Sequence, residues 1–384
     1  MISTAPVVWL QLIGLAVGLV FTVYLAGSFL LTAFYAPQRA EGRAKNVRLV
    51  IVTVAEERIR DALMETIAHT LSKFASYEVY CVLDEGAELE AEIRAMDELS
   101  EVVVPDSYQC EARAKGRAMQ YFIDSVVEAE PEYWYGFIDD DNRILDDRFL
   151  YEIPYYEARG YRAMNPVLKP RCGDSMLTYV ADHIRSVDDL SVYRLFSGVL
   201  GRPYLGFHGE LLCARGDVLS QIGFDRDTIV EDFAFAQELV RERVPVWQSQ
   251  TRVSILSPHD ISSFLTQRAR WYRGLNRYLL RTPFVSQCLV GTRMLTWTVA
   301  ITSSWVFLPL WLTSPGIEIP LWLLGVSVVG SLLYVGTIGF GAMRVGGIYG
   351  ISLLFLIPLY ATLEHVVPLY SLWKRESEFI VIEK

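Results

Sequence analysis

Cysteine is scarce in this chain, and charge is missing from its ends. Only five of 384 residues are cysteine (Cys81, Cys110, Cys172, Cys213 and Cys288), an odd, scattered set with no CxxC pair. That pattern argues against a disulfide framework or a zinc cluster and leaves reduced, buried thiols as the expectation. There is no internal repeat and no low-complexity tract. A surplus of positive charge is absent too: 35 Lys and Arg face 45 Asp and Glu, for a net charge of −10. Attraction to a phosphate backbone cannot come from such a balance, which argues against nucleic acid as the main partner. Residues 1–35 carry no charged side chain, and residues 284–384 carry five of each sign, so the whole net charge lies between them. The chain reads as one acidic domain held between apolar ends.

The run Val7–Tyr35 is uncharged and long enough to cross a bilayer with some tilt. It lacks the basic opening of a cleaved signal peptide. Arg39, Arg43, Lys45 and Arg48 follow it, which by the preference of basic residues for the cytoplasmic side puts the middle domain in the cytoplasm. Three further apolar stretches, 289–313, 319–343 and 348–372, close the chain. The last contains Pro358, Glu364, His365 and Pro368 and reads as a kinked span or one that enters and leaves on one face. The expected division is an N-terminal transmembrane helix (1–36), a cytosolic domain (37–260), an interfacial amphipathic helix (261–287), and C-terminal transmembrane helices with a short tail (288–384).

The middle alternates strand and helix patterns. Val47–Val54 is a β-branched run suited to a strand covered on both faces. Strands at Val79–Leu83, Val102–Val104 and Tyr133–Ile138 are separated by helical patterns at Ile59–Phe74, Glu88–Met96 and Lys115–Val127. Such alternation predicts a mostly parallel sheet with helices on both faces, binding ligands beyond the carboxyl ends of its strands.

Two strands end in clustered acids. Asp139-Asp140-Asp141 follows the fourth strand directly, and Asp139 and Asp141 fall on one side of an extended chain. Hard oxygen donors of this kind suit Mg²⁺ or Mn²⁺ on a diphosphate, although an acidic turn has the same composition. Asp84-Glu85-Gly86 ends the second strand, where a plain turn is the alternative. Lys115 opens a helix, either as a solvated cation or facing a phosphate. Glu231-Asp232 opens another, either favouring the helix dipole or supplying a general base. Gln267, Arg270 and Trp271 share a helix face at i, i+3 and i+4. That face suits headgroup depth at a membrane, and equally an Arg–diphosphate contact beside a stacking ring.

In this order the features resemble a membrane-bound family 2 glycosyltransferase of the GT-A fold, a Rossmann-like α/β nucleotide-diphospho-sugar transferase domain. The resemblance runs from about Val47 to Trp271 and on into the apolar segments. It is nearest to egghead-like β-mannosyltransferases, through the Lys115 motif, Gly206-Phe207-His208-Gly209, Ser257-Pro258 and the tail 379–384, and more distant from cellulose and hyaluronan synthases. The resemblance implies an inverting, metal-dependent hexosyl transfer, with Mg²⁺ or Mn²⁺ on Asp139 and Asp141 and Asp141 as the direct ligand. It implies donor contacts from Thr53, Asp84, Glu85, Lys115, Asp139, Asp140, Gln267, Arg270 and Trp271. Asp232, with Glu231 beside it, is implied as the catalytic base. Phe207, His208, Gly209, Glu210 and Trp271 are implied at the acceptor, His208 being equally readable as a loop histidine satisfied by backbone. Three departures stand out. Val230 replaces the usual Thr, Glu85 replaces an Asp, and Val52-Thr53-Val54-Ala55-Glu56 stands where Pro-x-x-Asn-Glu is common.

The expected partners are a nucleotide-diphosphate sugar such as GDP-mannose or a UDP-sugar, a lipid-linked or polysaccharide acceptor, and membrane lipids. The expected setting is a multi-pass protein of a prokaryotic plasma membrane with a cytoplasmic catalytic domain. A processive synthase extruding its polymer, or a silent nucleotide-binding scaffold, are the alternatives.

Overall fold

The computed structural model describes residues 5–302, 321–345 and 347–373. The chain opens on helix α1 (Ala5–Thr32), then enters the sheet through β1 (Val47–Val52), every residue of which is buried. Arg48 is tolerated within that strand because its guanidinium pairs with Glu78 at 2.6 Å and with Glu130, and lies 4.0 Å from the Tyr133 ring centroid. Helix α2 (Arg60–Lys73), β2 (Glu78–Asp84), α3 (Glu90–Arg94), β3 (Ser100–Val104), α4 (Lys115–Phe122) and β4 (Trp134–Asp139) follow. β1 pairs in parallel with β2 and β4, and β2 with β3. Alternate β1 side chains divide between two cores. Leu49 and Ile51 meet Leu63 and Ile67 of α2, while Val50 and Val52 meet Met119 and Phe122 of α4. This is the doubly covered, parallel half that the alternation predicts.

The second half is mixed. It comprises β5 (Arg143–Ile144), α5 (Arg148–Glu157), β6 (Ala163–Arg171), α6 (Met176–Asp189), β7 (Leu212–Arg215), α7 (Gly216–Ile222), α8 (Glu231–Arg241) and β8 (Val246–Leu256). The eight strands lie in the order β3-β2-β1-β4-β7-β6-β8-β5. β7 runs antiparallel to both β4 and β6, and β5 antiparallel to β8, while β6 and β8 pair in parallel, so the second half is mixed where the first is wholly parallel.

Helix α9 (Ile261–Tyr278) is capped by Asp260, whose carboxylate accepts from the Ser263 amide at 2.7 Å. It ends before α10 (Phe284–Thr302), so the expected 261–287 segment divides into one helix, a short turn and the start of another. Helices α11 (Leu321–Val345), α12 (Gly347–Leu354) and α13 (Ile357–Trp373) complete the described chain. The last expected span is thus broken between α12 and α13. Pro358 falls in the first turn of α13, where its missing N–H costs little. Residues 303–313 of the first C-terminal stretch and the tail 379–384 lie outside the described residues. Among the described residues no helix is long and apolar enough to cross a membrane, so membrane crossing remains an expectation of the sequence. α1 packs on α10 and α11, α11 on α6, and α13 on α9 and α10, which brings these helices over one end of the sheet.

Candidate active site

Register aligns the carboxyl ends of the parallel strands. Val52 stands opposite Val82 on one side and Asp139 on the other. Just past β1, the Thr53 amide donates to the Val82 carbonyl, and the Thr53 hydroxyl donates to Asp140 Oδ2 at 3.0 Å. Asp84, ending β2, accepts from Arg117 Nη1 at 2.6 Å, and burial holds its carboxyl above the usual carboxylate range despite that partner. Beyond β4, Asp141 is buried (2% exposed) while Asp139 and Asp140 stay within reach of solvent.

Lys115 is the first residue of α4. It is delivered by Ala114, which adopts φ +48°, a sparsely populated conformation costing about 1–3 kcal/mol. Its ammonium donates to Asp139 and, at 3.0 Å, to the Gly209 carbonyl. Burial opposes the charge, but Asp139, Glu231 and Asp232 around it prevail and hold the Lys115 pKa above the ordinary lysine value. One cation therefore ties the strand-end acids to the 207–210 loop.

Gly209 is where that loop approaches most closely. A Cβ there would lie 3.3 Å from both Asp232 Oδ2 and Lys115 Nζ, so only glycine leaves those groups undisturbed. Asp232 lies in the first turn of α8, its Oδ1 accepting from the Phe233 amide at 2.7 Å. Burial, then Glu231 and Glu210, raise its pKa to about 7 against the opposing pull of Lys115. Val230, the residue before this pair, packs into the space left by Gly274 of α9, where a Cβ would meet Val230 Cγ1 at 2.5 Å. That contact sets the Glu231-Asp232 turn against the helix bearing Gln267, Arg270 and Trp271.

Several groups that sequence reasoning missed hold the loop and this helix. Glu210 forms an ion pair with Arg185 of α6; burial works against its charge, but Arg185 and His208 hold the carboxyl below its ordinary range. The Arg185 guanidinium lies 4.9 Å from the Trp271 ring centroid, and that of Arg268 lies 4.4 Å away. Arg268 in turn pairs with buried Asp182, and its Nη1 donates to Gln267 Oε1 at 3.1 Å. His208 Nε2 is 2.5 Å from Asp189 Oδ1, and its amide donates to Asn165 Oδ1 at 2.8 Å. His208 is thus held by a carboxylate and a side-chain amide where the loop reading expects backbone partners, and it also lines the cavity between these parts. Asp182, Arg185 and Asp189 recur at i, i+3 and i+7 on one face of α6, a charged stripe that could have signalled them.

A cavity of about 410 Å³ joins these parts. Thr53, Asp84, Lys115 and Asp139 to Asp141 line it from the sheet, and Phe207 to Glu210, Glu231 and Asp232 from the loops. Gln267, Arg270 and Trp271 line it from α9. Glu85 is not among the lining residues: its carboxylate accepts from the Asp106 amide at 2.9 Å on an exposed turn. Among the described residues no three His, Cys, Asp or Glu side chains cluster as a metal cage. Two strand-end carboxylates fit a different arrangement, in which a hard cation takes one or two protein oxygens and completes its shell with water and substrate phosphate.

Comparison with known proteins places this geometry. Residues 136–363 match the family described as glycosyl transferase family group 2. No curated protein matches the chain. Among solved structures it is similar in fold to mannosyltransferase PcManGT from Pyrobaculum calidifontis in complex with GDP-Man and Mn²⁺, with a TM-score of 0.53 and 14% identity over 94% of this chain and 100% of that one. A comparison with S. aureus TarS 1-349 in complex with UDP-GlcNAc gives a TM-score of 0.38 and 10% identity over 88% and 95% of the two chains, too distant to argue from.

Proposed function

Because the chain belongs to glycosyl transferase family group 2, we propose that it transfers one sugar, with inversion, from a nucleotide-diphosphate sugar to a hydroxyl of a membrane-held acceptor such as a glycolipid or lipid-linked glycan. The observation that carries this reading is the placement of Asp232. A carboxylate with a pKa raised to about 7 shares one cavity with the strand-end acids and Lys115. A base poised near the working pH is what proton removal from a sugar hydroxyl needs.

In this reading Asp232 accepts the hydroxyl proton while the acceptor oxygen bonds to the anomeric carbon from the face opposite the diphosphate. The anomeric carbon–oxygen bond breaks, and the electron pair leaves with the nucleotide. Lys115 and Arg270 offset the charge that gathers on the departing diphosphate. Asp139 and Asp141 are the residues that would hold Mg²⁺ or Mn²⁺, and such a cation, when bound, adds to that neutralisation. Single displacement requires one base, and Asp232 is that base; Glu231 raises its proton affinity from the adjacent position.

The exposed apolar side chains of the helices support the acceptor class. α1 spans 28 residues without a charge; Trp9, Ile13, Val23, Leu30 and Leu31 are exposed along it, while Val17 and Leu25 are buried. Residues of α1, α10 and α13 line the same cavity as the strand-end acids, so an acceptor anchored among those helices reaches Asp232. The fold neighbour's GDP-Man and Mn²⁺ make GDP-mannose with Mn²⁺ the first donor to try. The test is nucleotide release from UDP-sugars and from GDP-mannose by the purified protein, with and without Mn²⁺. Release from one donor, dependent on the cation, is expected; silence with every donor counts against an enzyme. Product length then separates single addition from processive synthesis, a ladder of long polymers contradicting the former.

A further inference from the structure

Helix α1 gives the cavity more than an apolar wall. Phe21, Tyr24 and Leu25 stand at i, i+3 and i+4, so one face of the helix lines it. α1 lies outside the residues matched to the family. The Tyr24 ring is fixed by packing. Its centroid is 6.4 Å from that of Phe196, and it joins the apolar cluster that includes Tyr193, Leu205, Phe233 and Val290. Its hydroxyl oxygen is buried and has no hydrogen-bond partner among the described residues. Arg293, Asp188 and Tyr193 are within electrostatic reach of the phenol, and all three also line the cavity. Arg293 and Asp188 are already paired with each other. A buried hydroxyl without a partner costs stability, so this one is accounted for by a partner that the chain itself does not supply.

We propose that the Tyr24 hydroxyl is a specificity-determining contact, which hydrogen-bonds an oxygen of the amphiphilic acceptor where its polar head meets its apolar tail. The inference rests on the proposed transferase reading and adds to it a residue of α1 that selects the acceptor. Asp232 is among the charges acting on the Tyr193 phenol, whereas those acting on Tyr24 are Arg293 and Asp188. Tyr24 is therefore one step further from the base than Tyr193, and the oxygen it binds is not the one that attacks the donor. Phe21 and Leu25, on the same helix face, suit the first carbons of the tail. A phenol both donates and accepts, so a sugar hydroxyl or a phosphate oxygen fits it equally. Because packing already holds the ring, the bond forms with little ordering cost.

The test compares the full chain with its Tyr24→Phe variant in lipid nanodiscs without donor. It reads tryptophan fluorescence, because Trp271 and Trp297 both line the cavity. The probes are octyl β-glucoside, octyl phosphate and octylbenzene, which offer sugar hydroxyls, phosphate oxygens and no oxygen. The variant is expected to bind at least one oxygen-bearing probe about tenfold more weakly and octylbenzene equally well. Its Tm should be unchanged or higher, since a buried group without a partner has been removed, whereas a structural role for the hydroxyl would lower it. Weakening of the glucoside alone identifies a sugar hydroxyl as the partner, and weakening of the phosphate alone a phosphate oxygen. Leu30→Ala, on the outer face of α1, is the control and should change none of the titrations. Equal affinities in the two proteins, equal weakening of octylbenzene, a fall in Tm, or no binding of either oxygen-bearing probe overturns the inference. Since no donor is present, failure of the donor screen falls on the transferase reading, whereas these results fall on this one.

Discussion

The sheet domain and the helices around it differ in what they leave exposed. In the sheet domain apolar side chains point inward: Val50, Ile51, Val82 and Phe137 are fully buried, and carboxylates gather at the strand ends. Among α1 and α10 to α13 apolar side chains such as Leu25, Val290 and Met294 are also buried, but many others are exposed and several polar ones are enclosed. Leu30, Leu31, Leu332, Ile348 and Leu372 face outward, while Thr22, Ser28, Thr32, Thr296 and Glu364 are buried. The contrast teaches that the two regions leave different kinds of side chain exposed, and the membrane setting proposed above is one that would cover those of the helices. The cavity opens where the inner face of the helices, both apolar and polar, meets the polar edge of the sheet.

Five substitutions probe this contrast, beginning with the largest expected effect. Asp232→Asn should lower the turnover of the donor about 10³-fold, or about 4 kcal/mol, with donor affinity little changed. The same variant should raise Tm at pH 8. Asp232 binds its proton more tightly folded than unfolded, so stability is greatest at acidic pH and falls as pH rises through about 7. A variant that loses both rate and Tm would remove Asp232 from the role of a strained base.

Next in size, Arg268→Ala leaves Asp182 buried without its guanidinium and should cost about 3 kcal/mol or more in unfolding free energy. Phe137→Ala in the sheet should cost about 3–5 kcal/mol, since it empties a fully buried site. A small loss at Arg268 would show that water reaches the helical interior and would weaken the comparison there. Gly209→Ala should then lower turnover about tenfold, because the added carbon displaces Asp232 and Lys115 by a few tenths of an ångström. Unchanged kinetics would mean the loop yields freely. Smallest of all, Leu30→Ala should change stability by less than about 0.5 kcal/mol in nanodiscs. A loss as large as that at Phe137 would place Leu30 inside a protein core and break the contrast at its outer face.

How far the sequence reveals this arrangement differs between the same two halves of the sheet. β1 to β4 are readable because Val47–Val52 and Trp134–Asp139 are apolar runs bounded by turn residues, with helical periods between them. β6 and β8 are not. β6 contains Asn165, Pro166 and Pro170, and β8 contains Gln248, Ser249, Gln250 and Thr251. These polar residues are accommodated by partners distant in the chain: Asn165 Nδ2 donates to Gln248 Oε1 at 2.9 Å, and Gln248 Nε2 to the Pro166 carbonyl at 2.7 Å. Periodicity carries no trace of such pairings. The site shows the same division. Asp139, Lys115 and Asp232 stand beside strand ends and helix starts, so their motifs are local and visible. Arg185 and Asp189 meet Glu210 and His208 only after α6 has packed across the loop.

The central claim is that a carboxylate with a raised pKa removes the acceptor's proton. The pH dependence of donor turnover in the presence of acceptor, from pH 5 to pH 9, tests it most directly. The account expects the rate to rise with pH, reach half its maximum near 7, and level off as Asp232 becomes fully ionised. A rate that is flat across that range, or that falls as pH rises through 7, would contradict it.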